Sequence, residues 1–91
     1  MSDSDMPLTK AEEDVLLSLD ALLHEFGGME NFFGPERIAG YPDLTSDEDR
    51  IGEALVTLVE KGLVERHDLG YTLSRGSSTV VRRVERKRGE A

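Results

Sequence analysis

Ninety-one residues allow one domain with a modest core. The chain has no cysteine, which excludes a disulfide framework and thiolate metal sites. Its net charge is −8, from nineteen acidic and eleven basic residues. No run approaches the roughly 18 apolar residues of a membrane span, and the opening MSDSDMP is acidic rather than basic and then apolar. The expectation is therefore a cytoplasmic protein with no membrane partner.

The charge is unevenly spread. Residues 1–30 carry eight acids and one base, residues 31–60 seven and two, and residues 61–91 four and eight. Arginine outnumbers lysine eight to three. This acid-rich, lysine-poor composition resembles that of haloarchaeal cytoplasmic proteins, whose surface carboxylates keep them soluble in concentrated salt.

In chain order, residues 1–8 are expected to be a disordered N-terminus, polar and acidic and interrupted by Pro7. Thr9-Lys10-Ala11-Glu12 has the spacing of a capping box and predicts a helix running to about Phe26. Ala11, Val15, Leu16, Leu19, Leu22, Leu23 and Phe26 form its apolar stripe, which leaves Asp14, Ser18, Asp20 and Glu25 for the wet side. Gly27-Gly28 stops it. Asn31-Phe32-Phe33 is a candidate short strand that pairs with a later hairpin. Pro35 opens a brief second helix, Glu36 to Ala39, closed by Gly40 and Pro42. Leu44 is the expected apolar turn residue before the third helix.

That third helix organises the chain. Thr45 with Glu48, or Ser46 with Asp49, is spaced to cap it. Ile51, Ala54, Leu55, Leu58 and Val59 fall on one stripe of a helix of roughly 3.6 residues per turn. Gly62 is placed for a left-handed exit. A strand then begins at Leu63-Val64, His67-Asp68-Leu69-Gly70 reads as a tight turn, and Tyr71-Thr72-Leu73 returns. The run LVEKGLVER…YTLS resembles the third helix and wing of winged helix-turn-helix domains, the MarR-like and ArsR-like regulators in particular. The opening LTKAEEDVLLSL is similar to the first helix of MarR-like domains. The resemblance implies an α+β winged helix-turn-helix over residues 9–74, with a three-helix core and a β-hairpin wing. Residues 75–91 follow as a basic C-terminal helix or tail, in which Val80, Val81 and Val84 have weak helical spacing. MarR-like proteins often dimerise through terminal helices, so the resemblance also implies a homodimer.

On a helical wheel of about 100° per residue, Asp49, Glu53, Val56 and Glu60 lie opposite Ile51, with Arg50 and Thr57 flanking. The implied DNA-reading set is Ser46, Asp49, Arg50, Glu53 and Thr57. Arg66 and His67 of the wing, and Arg82, Arg83, Arg86, Lys87 and Arg88 of the tail, are the candidates for phosphates. The acids oppose this assignment: phosphate affinity comes largely from Lys and Arg, and three carboxylates repel it. Two functions follow. One is a DNA-binding transcriptional regulator, with duplex DNA as partner. The alternative is a winged-helix interaction module that docks a basic protein on its acidic third helix. Enzymatic function is not expected. His24 and His67 have no ligand spacing, and the nine glycines sit at caps and turns rather than in a phosphate loop, so no cofactor is implied.

Overall fold

The computed structural model describes residues 8–26, 32–40 and 47–89, with Arg88 described in its backbone only. The expectations for residues 1–7, for the Gly27-Gly28 stop, for Asn31, Pro42 and Leu44, and for Thr45 and Ser46 as caps fall outside them. The fold is α+β. Among the described residues it comprises four helices, α1 (Lys10–Phe26), α2 (Pro35–Ala39), α3 (Glu48–Glu60) and α4 (Ser77–Gly89), and one antiparallel hairpin of β1 (Val64–His67) and β2 (Gly70–Leu73).

The start of α1 is the capping box that its spacing predicts. The Thr9 N–H donates to Glu12 Oε1 at 2.8 Å, and the Glu12 N–H donates to Thr9 Oγ1 at 3.1 Å. At α3 the cap differs from the expectation. Asp47 is the N-cap, its Oδ1 accepting from the Arg50 N–H at 3.0 Å. A carboxylate three residues before Arg50 satisfies the same orphan donor that a threonine or serine would. The exit of α3 is as predicted. Gly62 adopts φ 79°, its N–H donates to Val59 O at 3.1 Å, and the Leu63 N–H donates to Leu58 O at 3.0 Å. These are the two bonds of a Schellman motif.

The core unites Val15, Leu16, Leu19 and Leu22 of α1, Ile38 of α2, and Ile51, Ala54, Leu55 and Leu58 of α3. Phe33, Val64 and Val81 complete it. Because α2, α3, α4 and β2 all pack on α1, that helix has little wet side left. This corrects two expectations: Asp14 and Ser18 are fully buried rather than solvated. The Ser18 hydroxyl donates to Ile38 O at 3.0 Å, which ties α1 to α2 and satisfies a polar group that burial would otherwise penalise.

The hairpin registers Val64 with Leu73 and His67 with Gly70 around a two-residue turn. Phe33 adds a single antiparallel bridge to Tyr71, with N–H···O distances of 3.0 and 2.9 Å. The strand suggested by Asn31-Phe32-Phe33 is thus one bridge long within the described residues. Phe33 points into the core. Phe32 is half-buried, with its ring 4.4 Å from that of His67. Residues 77–89 are helical. Val81 and Val84 turn α4 onto the body of the domain, and the Ser77 hydroxyl donates to Ser74 O at 2.7 Å.

Candidate functional site

With Ile51, Ala54, Leu55 and Leu58 buried, helical geometry drives the other face of α3 outward. Asp49, Arg50, Glu53 and Glu60 are exposed there, and Val56 among them is 58% exposed. Thr57 is half-buried, and its hydroxyl donates back to Glu53 O at 3.1 Å. Asp49, Arg50, Glu53 and Thr57 line a groove of about 880 Å³ whose opposite wall is the first turn of α1, Thr9 to Glu12. The structure therefore brings these four candidates together. It adds Lys10 beside them, which no motif singled out because its neighbour across the groove is remote in sequence. Ser46 lies outside the described residues.

The hairpin carries Arg66 and His67, both exposed on β1. His67 Nε2 lies 3.4 Å from Glu65 Oε1, so this tip of the hairpin has an acid as well as two candidate bases. Leu69 in the turn is 77% exposed.

The basic run is divided by its packing. Arg82, Arg83 and Arg86 are exposed on α4. Lys87, also exposed, places its Nζ 2.9 Å from Glu13 Oε2. The side chain of Arg88 lies outside the described residues. The neighbouring residues Glu12 and Glu13 diverge: Glu12 faces Lys61 at the end of α3 and Glu13 faces Lys87 of α4. The first turn of α1 thus stands between the α3 groove and the described bases of α4.

One carboxyl on α4 is perturbed. Desolvation raises the pKa of Glu85 above the ordinary glutamate value of 4.5, although the side chain is largely exposed. A hydrogen bond and repulsion from Asp20 raise it further, while Arg82 and His24 pull it back. A raised folded-state pKa means that the ionised form is disfavoured in the fold. Stability from this group therefore falls as pH rises from the ordinary glutamate value through the raised one. Glu85→Gln is expected to raise the melting temperature at neutral pH by a small amount and to leave it unchanged well below pH 4.5, as read by thermal denaturation across pH. A variant that melts lower at neutral pH would refute the Asp20–Glu85 crowding.

Among the described residues no group of three His, Asp or Glu side chains is placed to hold a metal, and no helix is long and apolar enough to cross a membrane. His24 lies in the last turn of α1 and His67 on the hairpin. No protein-family model, curated protein or solved structure matches this chain.

Proposed function

We propose that this chain is a winged helix-turn-helix domain that binds double-stranded DNA as a transcriptional regulator. The observation that carries the reading is the setting of α3. A short helix precedes it, a hairpin follows it, and one apolar stripe seats it so that Asp49, Arg50, Glu53 and Thr57 share an exposed face. A helix presented this way suits the major groove, with the hairpin beside it along the backbone. In this reading Arg50 and Arg66 contact phosphate or guanine, and Asp49 or Glu53 accepts from cytosine N4. Screening in concentrated salt weakens the repulsion between the acids and the phosphates.

Fluorescence anisotropy with mixed-sequence duplex DNA, from low salt to molar KCl, tests it. We expect binding with a log–log salt slope of about −2 to −4, reduced by about one when Arg66 is replaced by alanine. The absence of binding at every salt concentration, from folded protein, would sink the reading. A second reading has its own observation: Asp49, Glu53 and Glu60 surround the exposed Val56, a surface suited to a basic amphipathic protein partner. Glu53→Lys separates the two. It strengthens non-specific DNA binding in the first reading and abolishes docking in the second.

The homodimer implied by the resemblance would draw on the outer face of α4. Val81 and Val84, the buried apolar residues of that helix, are already turned onto the chain's own body.

A further inference from the structure

The outer faces of α3 and α4 carry opposite charge at matching intervals. On α3 the row is Asp49, Glu53, Val56 and Glu60. On α4, with Ser77, Val81 and Val84 turned inward, the outward positions include Thr79, Arg82 and Arg86, and the exposed Arg75 lies just before the helix. Asp49 and Glu53 are four residues apart, as are Arg82 and Arg86, a rise of about 6 Å in each helix. Laid antiparallel, the helical positions coincide, and Arg75, in the turn before α4, falls at the Glu60 end of the row. Asp49 meets Arg86, Glu53 meets Arg82, Val56 meets Thr79, and Glu60 meets Arg75. Within one chain the rows lie apart: α4 packs on α1, where Lys87 meets Glu13, while Asp49 and Glu53 line the groove on the other side of the first turn of α1.

We infer that α3 of one molecule docks on α4 of a second copy of this chain, with three ion pairs in antiparallel register around the otherwise exposed Val56. Single exposed pairs are weak, so the contact depends on several acting in register and on burial of Val56 against the methyl group of Thr79. It is therefore sensitive to salt, strong where the Debye length is near 30 Å at about 0.01 M and lost where it is near 3 Å at about 1 M. The docking covers the same face that the DNA reading assigns to the duplex, and the two binding modes exclude one another. The inference itself stands on charge register alone and does not require DNA binding.

Sedimentation equilibrium of the full chain at low and molar salt is the test. We expect a dimer or larger species at low salt that becomes monomeric in molar salt. Asp49→Arg should weaken association by about tenfold or more, Arg86→Glu likewise, and the two together should restore it. These variants avoid Arg82, which helps to moderate the charge at Glu85, and circular dichroism confirms their fold. Glu60→Arg with Arg75→Glu repeats the exchange at the other end of the register. A monomer at every salt concentration, association indifferent to Asp49→Arg and to Glu60→Arg, or failure of both paired exchanges to rescue would overturn the inference.

Discussion

Gly70→Ala is expected to lower stability by about 3 to 5 kcal/mol, from overpacking plus positive-φ strain. Gly70 adopts φ 140°, a conformation that side chains rarely accept. A Cβ there would also lie 2.6 Å from Phe33 O, 2.7 Å from its carbonyl carbon and 2.9 Å from its nitrogen. Those atoms are backbone, held by the two hydrogen bonds to Tyr71, so they cannot swing aside as the end of a long side chain can. Relief requires that the bridge open, which would leave the Phe33 and Tyr71 amides without partners and lift Phe33 from the core. A domain of this size has a total stability of roughly 5 to 15 kcal/mol, so the loss is a large share of it. Gly62→Ala provides the control. It also stands at positive φ, 79°, but nothing lies within 4 Å of its Cβ position. Its cost should be only the left-handed penalty, about 1 kcal/mol. Urea unfolding of both variants measures the difference. Equal midpoints would show that the backbone of Phe33 does not approach Gly70 in solution.

Lys61→Met is expected to cost about 2 to 3 kcal/mol, because it leaves a nearly buried carboxylate without its cation. The Glu12 side chain is 5% exposed, and the Lys61 ammonium lies 3.2 Å from each of its oxygens. Methionine keeps the aliphatic stem of Lys61 and removes only the charge. The backbone N–H of Thr9 still donates to Glu12, which moderates the loss. Glu12→Gln together with Lys61→Met should return stability to within about 1 kcal/mol of the parent, since a neutral amide can accept the same N–H. Lys87→Met makes the comparison sharper. Its partner Glu13 is buried, but the Lys87 side chain is 70% exposed, so its loss should stay below about 1 kcal/mol. Chemical denaturation of the four proteins reads the coupling. If Lys61→Met and Lys87→Met cost the same, burial does not set the strength of these pairs.

These two positions also separate what is local from what is tertiary. The capping box at Thr9, the apolar stripe of α3, the Gly62 exit and the two-residue turn before Gly70 were legible from spacing, because each depends on residues within one or two turns of chain. The outward row of Asp49, Glu53, Val56 and Glu60 was legible for the same reason: once Ile51, Ala54, Leu55 and Leu58 face the core, the helical repeat leaves no other place for it. Periodicity did not reveal how many partners a helix has. Asp14 and Ser18 read as solvated because an amphipathic helix with one packing partner keeps a wet side. In the structure α2, α3, α4 and β2 close around α1, and the polar positions are buried with it.

The basic run shows the same limit from the opposite side. Five bases in seven residues look alike in sequence, yet Lys87, exposed like Arg82 and Arg86, is the one that meets the buried Glu13. Which base meets Glu13 depends on a contact across 74 positions, and the burial of Glu13 belongs to the assembled domain. Local spacing thus decided where helices start, stop and face, since those steps are governed by short-range hydrogen bonds and the helical repeat. Tertiary packing decided which polar groups are dry, which base meets a buried acid and that α1 keeps the α3 groove apart from the α4 arginines, since desolvation is set by every neighbour at once.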